Sequence, residues 1–308
     1  MSKEAYIIDG TRSAIGNFKG SLAAVRTDDL IASVIKNLIA KNPELPLDRI
    51  DDVIIGCANQ AGEDNRNIAR MALLLAGLPQ SVPGETVNRL CASGMSAVAQ
   101  AMRAIKSGEG DLFIAGGLEG MSRGPFVISK AESGFATDQK MYDSSFGWRF
   151  INPEMEKTYG VEAMGKTAEN LAEMYKISRE EQDEFALNSQ MKATKAQESG
   201  RLAEEISDIQ IPQRKGDPIL VNKDEFIKPN SSLEILGKLK PAFVKENGTV
   251  TAGNASGLND GAAAMIIASG DAVKNYGLKP LAKIVCSAVV GVEPRIMGIG
   301  PVDATKLA

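Results

Sequence analysis

The stretch "ETVNRLCASGMSAVAQAM", residues 85–102, changes character halfway along. Thr86 and Val87 are β-branched and read as strand, whereas from Ala92 onward the residues are small and helix-tolerant. The spacing predicts a strand-to-helix corner with Cys91 at the seam. Working outward, "EAYIID" (4–9), "DDVIIGC" (51–57) and "DLFIAGG" (111–117) are short β-branched runs that read as buried strands. Between the first two lies "TDDLIASVIKNLIAK" (27–41), with Leu30, Ile31, Val34, Leu38 and Ile39 at helical spacing and Thr27 as the expected N-cap. Strand, helix, strand, helix predicts βαβ units, an α/β fold and a mainly parallel sheet.

From about residue 119 the pattern shifts. "TAENLAEMYKISREEQDEFALNSQMKATKAQESG" (167–200) predicts two amphipathic helices, the second opening with a capping box from Ser178 to Glu181 and ending at Gly200. This segment reads as a helical insertion over the α/β core. The core resumes with "TVTAGNASGLNDGAAAMIIAS" (249–269), a glycine-rich loop feeding an apolar strand, and "PLAKIVCSAVVGV" (280–292), read as another strand. In "GPVDATKLA" (300–308) Asp303 is the expected N-cap of a first helical turn. The expected division is 1–118 for the first part of a core, 119–248 for a helical loop domain, 249–278 for completion of that core, and 279–308 for the start of a second core half. The remainder of that second half is expected to be mostly missing, as in a chain truncated at its C-terminal side.

The chain has 308 residues, 44% hydrophobic and 24% charged, with a net charge of −4. That balance argues against nucleic acid or an anionic lipid surface as the main partner, and no apolar run approaches the roughly 20 residues of a membrane span. The N-terminus enters a strand pattern without a signal-peptide core, so a cytoplasmic setting is expected. Cys57, Cys91 and Cys286 are too few and too scattered for a disulfide framework, and no metal site is expected. There is no histidine.

Cys91 has three features of a reactive thiol. A helix N-terminus stabilises thiolate through its dipole and free N–H groups. A strand-to-helix corner exposes one side chain and aims backbone N–H groups at a reacting carbonyl. The helix behind it (Ala92, Ser93, Gly94, Ser96, Ala97, Ala99) is small enough to pack on all sides. The competing reading is a small core residue, since free cysteine is among the most buried residue types. Cys57 and Cys286 lie in apolar runs and are expected in the core.

"VNRLCASGMSAV" resembles the active-site segment of the thiolases, acyl-CoA C-acyltransferases. The likeness continues in order through "DGTRSAIGNFKGSL", "GCANQAGEDNRNIARMALLLAGLPQSVPGETVNRLC", "AGGLEGMSR", "MGKTAEN", "SREEQDEFALNSQ", "TVTAGNASGLNDGAA" and "GVEPRIMGIGP". "GCANQAGEDNRNIARM" and "FGWRFINPEM" are most similar to the degradative 3-oxoadipyl-CoA branch. The resemblance implies a thiolase-type layered α/β core with an inserted helical loop domain. It makes Cys91 the nucleophile that attacks the 3-ketone of a 3-oxoacyl-CoA, releases acetyl-CoA, and passes its acyl group to free coenzyme A, the co-substrate, with no permanently bound cofactor. It implies CoA contacts from Ala252 and Ser256 in "TAGNAS", Lys228 in "DEFIKPN", Phe243 in "KPAF" and Met164 in "EAMGKTAEN". Lys228 reads equally as a solvated loop charge, and Phe243 as a core residue. The resemblance also implies a homo-oligomer, dimer or tetramer.

The departures matter more. The resemblance calls for an Asn-Glu-Ala-Phe motif, a Gly-His-Pro motif whose histidine activates the nucleophile, and a second cysteine that handles the proton on the acetyl-CoA methyl carbon. None of these motifs occurs here. Smaller departures are Gly120, where serine is usual, and Ala163, where some members carry histidine. The expected function is thiolytic cleavage of a 3-oxoacyl-CoA, with 3-oxoadipyl-CoA giving succinyl-CoA and acetyl-CoA, or the reverse condensation. The alternatives are a catalytically incomplete fragment or CoA-binding subunit needing a separate chain for histidine, and a ketoacyl synthase-type condensing enzyme. No appreciable turnover is expected of these 308 residues alone.

Overall fold

The structure is a computed structural model and describes residues 3–308. In chain order its elements begin with β1 (Ala5–Arg12), β2 (Gly16–Asn17), α1 (Thr27–Lys41), β3 (Asp52–Gly56), α2 (Ile68–Leu75), β4 (Gly84–Val87), α3 (Ser93–Ser107) and β5 (Leu112–Gly120). Next come β6 (Phe126–Ile128), β7 (Met141–Asp143), α4 (Pro153–Tyr159), α5 (Met164–Tyr175), α6 (Arg179–Glu198), β8 (Ile209–Ile211), β9 (Ile219–Val221) and α7 (Leu233–Gly237). Then follow β10 (Asn259–Ser269), α8 (Gly270–Tyr276), β11 (Ala282–Ile284) and α9 (Gly300–Leu307). They form two units. The first takes the chain up to Pro125 with Arg201–Phe226 and Leu258–Val285; the second takes Phe126–Gly200, Ile227–Gly257 and Cys286–Ala308.

The first unit is built on one sheet, ordered β11-β1-β10-β5-β3-β4, with β2 paired to β10. The α/β class is as expected, but the sheet is mixed and not mainly parallel. β3 runs parallel to β4 and β5, as βαβ connections require. β10 arrives from a distant part of the chain and lies antiparallel between β1 and β5, in register from Asp260 opposite Gly120 to Ala268 opposite Leu112. Local patterning gives the period of a strand and not its distant partner, so this direction was not readable from the run itself.

Period-2 alternation divides the core between the two faces. Val53 and Ile55 of β3 and Ile114 of β5 pack with Leu30, Ile31, Val34, Ile35 and Leu38 of α1 and Ile68, Ala72 and Leu73 of α2. Ile54, Phe113, Ala115 and Ile267 face the other way, onto Ala97, Ala101 and Ile105 of α3. Bulky side chains thus fill the α1–α2 side, while an alanine-rich stripe lets α3 lie close to the sheet. The other side of α3 is open, with Met95 78% exposed, so the expectation of a helix packed all round is corrected.

Further corrections concern helix ends and short runs. Thr27 is the first helical residue and not the cap; Arg26 caps without a side-chain bond, and the Thr27 N–H donates to the Glu63 carboxylate at 3.3 Å. Asp303 lies inside α9, whose N-cap is Ile299. "PLAKIVCSAVVGV" supplies only Ala282–Ile284 as strand, so Cys286 is exposed and outside any strand, its thiol 3.1 Å from the Ala308 carbonyl oxygen. Cys57 is buried as expected.

In the second unit the capping box forms as expected: Ser178 Oγ accepts from the Glu181 N–H, and the Ser178 N–H donates to Glu181 at 2.7 Å. α6 is nonetheless barely amphipathic in practice. Asp183 is its one buried residue, while Phe185 and Met191 are exposed.

Candidate functional site

Cys91 sits where the chain leaves β4 for α3, and it is exposed. The residue before it, Leu90, has φ +49°, the left-handed region that a bulky L-residue adopts only at a cost of about 1–2 kcal/mol. Both of its backbone groups are engaged. Its N–H donates to Asn88 Oδ1 at 2.9 Å, and its carbonyl accepts from the Ser93 hydroxyl at 2.6 Å and the Ser93 N–H at 3.0 Å. Ser93 Oγ also accepts from the Arg89 N–H at 2.8 Å. The corner is therefore a clamp, with its N-terminal end fixed by Asn88 Nδ2 donating to the Ala58 carbonyl at 3.1 Å. α3 has Ala92 as its N-cap with no side-chain cap bond, so no capping side chain competes with a ligand for its N-terminal N–H groups. Among the described residues of its own unit no side chain hydrogen-bonds the Cys91 sulfur, and the sequence holds no histidine to do so.

Close approach of α3 to the sheet needs glycine beneath it. A Cβ on Gly56 would lie 2.3 Å from the Ser93 carbonyl carbon and 2.5 Å from the Gly94 nitrogen. One on Gly117 would lie 3.2 Å from Gly94 Cα. Gly120, where the resemblance expects serine, faces Thr27: a Cβ there would meet Thr27 Cγ2 at 2.2 Å.

A further group, with Cys57 and Asp64 buried and Glu119 half-buried, was missed by the sequence reading. Donor atoms of Cys57, Asp64 and Glu119 lie within 4.8 Å of one another, the one such set among the described residues with donors suited to a metal ion. Their bonds turn inward instead. The Cys57 thiol donates to Asp64 Oδ2 at 3.6 Å, Asp64 Oδ1 takes the Gly62 N–H at 2.9 Å, and Glu119 takes the N–H groups of Ala58 and Asn59 at 3.1 and 3.3 Å. Burial, then the neighbouring charges of Glu119 and Asp64, push the Cys57 thiol up to about 12. Burial also raises the Glu119 carboxyl, against the opposing pull of its two N–H donors. Cys57 is a packed thiol and not a second nucleophile.

The remaining sequence-derived residues lie in the second unit. Ala252 and Ser256 are exposed on the loop that follows Thr251. That loop is pinned from behind: Asn254 Oδ1 accepts from the Thr251 N–H at 2.7 Å, and Asn254 Nδ2 donates to the Thr249 carbonyl and to Asp183, each at 2.9 Å. Glu169 of α5 takes the N–H groups of Thr249 and Val250, both at 2.9 Å. Met164 opens α5 and is exposed. Phe243 is 46% exposed, not a core residue, and its ring covers Gly165, where a Cβ would meet it at 2.1 Å. Lys228 is exposed, and its N–H donates to Gln190 at 2.8 Å. Met164 and Phe243 are thus brought together, Ala252 and Ser256 share one loop, and Cys91 belongs to the other unit. The second-unit residues missed from sequence, Glu169 and Asn254, carry one signal: polar residues inside otherwise small or helical motifs.

Cys91 is thus an exposed thiol at a strand–helix corner held by the bonds of Asn88 and Ser93. Residues 5–271 match the family model for the thiolase N-terminal domain, and the chain belongs to the thiolase family. It is 58% identical over 306 residues to the beta-ketoadipyl-CoA thiolase of Pseudomonas knackmussii, covering 99% of this chain and 76% of that protein. It is 56% identical over 304 residues to the 3-oxoadipyl-CoA/3-oxo-5,6-dehydrosuberyl-CoA thiolase of Escherichia coli, with the same coverage. The solved structure of the Bacillus anthracis acetyl-CoA acetyltransferase superposes with a TM-score of 0.90 at 38% identity, covering 99% of this chain and 75% of that one. The fold is the thiolase-type α/β fold with a mixed sheet.

Proposed function

We propose that the chain acts as a 3-oxoadipyl-CoA thiolase with Cys91 as its nucleophile. The observation that carries this reading is its identity of 56–58% with relatives named for that substrate. The Cys91 thiolate attacks the 3-ketone carbon; the bond between C2 and C3 breaks; acetyl-CoA departs and takes a proton at its methyl carbon; the succinyl group stays on Cys91 as a thioester. The thiol of coenzyme A then takes the succinyl group, and the proton returns to Cys91. The exposed corner at the α3 N-terminus supports the first step, since its N–H groups favour a thiolate.

The coenzyme is the co-substrate. Ala252 and Ser256 are assigned to its pantetheine arm, Lys228 and Phe243 to its adenine end, and Met164 to the acyl channel. The pinned 251–257 loop supports the first pair, and the half-exposed ring of Phe243 supports the stacking role. The protein acts in the cytoplasm as a homo-oligomer, and of residues 119–248 the parts in the second unit, Phe126–Gly200 and 227–248, serve as its loop domain. The 308 residues by themselves do not sustain turnover, because a thiol needs a base at neutral pH and they contain no histidine.

The test is acyl-Cys91 formation in alkaline buffer, where hydroxide replaces the missing base. Succinyl-Cys91 from 3-oxoadipyl-CoA forms faster than acetyl-Cys91 from acetoacetyl-CoA. The opposite order would reassign the substrate to the short-chain class.

A further inference from the structure

We infer that Arg179 and Asp183 are positioning residues for the coenzyme: their ion pair on α6 holds the 251–257 loop through one partner and the segment leading to Phe243 through the other. The inference rests on the reading that Ala252, Ser256 and Phe243 meet coenzyme A. Arg179 Nε lies 2.7 Å from Asp183 Oδ2, one turn along the helix, and the Asp183 side chain is only 5% exposed. An exposed pair at this spacing adds little to a helix, and burying a charge costs desolvation that further hydrogen bonds must offset. Here those further bonds leave the helix. Asp183 Oδ1 accepts from Asn254 Nδ2 at 2.9 Å, and Arg179 Nη2 donates to the carbonyls of Leu236 at 2.6 Å and Leu239 at 3.1 Å.

Both tied segments converge on one short antiparallel pairing. Pro241 stands opposite Thr251, and the Ala242 N–H donates to the Val250 carbonyl at 2.9 Å. Phe243 follows directly on one strand, and Ala252 begins the loop on the other. α5 grips the same pairing: Gly165 and Glu169, one turn apart on one face, receive the Phe243 ring and the N–H groups of Thr249 and Val250. Gly253 closes against the Arg179-bound segment, since a Cβ there would meet Leu236 Cδ2 and Leu239 Cδ1 at 2.5 Å. Residues 251–257 read Thr-Ala-Gly-Asn-Ala-Ser-Gly, with side chains too small to order the loop by their own packing. A loop that orders only on binding loses affinity to the entropy of ordering, and bonds that order it beforehand remove that loss. The ion pair therefore sets the spacing between the pantetheine contacts and the ring at the adenine end.

The experiment is calorimetric titration of the 308-residue chain with coenzyme A and, separately, with adenosine 3′,5′-bisphosphate, which carries the nucleotide end without the pantetheine arm. Asp183→Asn and Arg179→Lys each lower the affinity for coenzyme A about tenfold and leave that for the bisphosphate within about twofold, because only the longer ligand spans both segments. Lysine keeps the charge beside Asp183 but lacks the planar fork that also reaches the two carbonyls. Glu234→Gln, which removes the exposed pair with Lys238 on α7, changes neither affinity. Circular dichroism checks the fold of each variant. Variants that bind coenzyme A as the parent does, or that lose both ligands in equal measure, would reduce the pair to a structural role and overturn the inference alone. A parent that binds no coenzyme A would overturn the reading of Ala252, Ser256 and Phe243, and the inference with it.

Discussion

Gly56 and Gly94 both lie where α3 meets the sheet, yet the structure assigns them opposite responses to an added methyl group. Gly56→Ala puts a Cβ 2.3 Å from the Ser93 carbonyl carbon, 2.5 Å from the Gly94 nitrogen and 2.6 Å from the Ser93 oxygen. All three are backbone atoms and cannot swing aside. Restoring ordinary contact at 3.4 Å requires the first turn of α3 to move by about 1 Å. Overpacking a tight interface costs about 1–3 kcal/mol, and here the cost falls on a helix end that the Leu90 clamp also holds. Gly94→Ala instead finds its nearest new neighbours at 3.8–3.9 Å, which is ordinary contact. Replacing a helical glycine by alanine contributes up to about 1 kcal/mol. The assay is denaturant unfolding of both variants beside the parent, with the Cys91 alkylation rate measured on each. Gly56→Ala loses about 1–3 kcal/mol and its alkylation rate changes, while Gly94→Ala matches or exceeds the parent in stability. Equal stabilities for the two variants would refute the claim that backbone contact over Gly56 sets the height of α3.

Other expectations follow from the buried polar groups. Cys57 ionises near 12 folded and near the ordinary 8.5 unfolded, so its contribution is complete below about pH 8.5 and lost as pH rises toward 12. Between pH 9 and 11 the slope of stability against pH is steeper in the parent than in Cys57→Ala by about 1 kcal/mol per unit, read from denaturant midpoints; equal slopes refute it. Burial raises the Glu169 carboxyl, but the Val250 and Thr249 N–H groups and the Thr249 hydroxyl together hold it below its usual value. Its contribution is present above about pH 4.3 and fades as pH falls through the lowered folded value, and Glu169→Ala leaves two N–H groups unpaired at about 1–3 kcal/mol each. The 308-residue chain consumes neither acetoacetyl-CoA nor 3-oxoadipyl-CoA catalytically at pH 7.5 in a thioester absorbance assay; a rate near that of the Pseudomonas knackmussii relative would contradict the argument from the missing histidine.

The strands were legible where β-branched runs carry their own signal: Asp52–Gly56 and Leu112–Gly120 lie close to where "DDVIIGC" and "DLFIAGG" put them. Direction was not, because the antiparallel placement of β10 depends on a partner far off in sequence. Helix ends misled for a related reason. Thr27 has the residue type of a cap, but Glu63 reaches its N–H from 36 residues away and does the capping. At the site, Cys91 was legible from the break between strand and helix residues. The clamp was not: left-handed backbone is announced by glycine or asparagine, and here it falls on a leucine. Glu119 gave no signal at all, since its partners Ala58 and Asn59 are backbone groups of another strand's loop.

Where the acyl group goes tests the central claim most directly. After incubation with 3-oxoadipyl-CoA in alkaline buffer, proteolysis and peptide mass spectrometry read the succinyl adduct on each of the three cysteines. The account predicts succinyl-Cys91 alone, absent from Cys91→Ser, with Cys57 protected by burial and Cys286 unmodified. An adduct on Cys286 at equal rate, or none on Cys91, would contradict it.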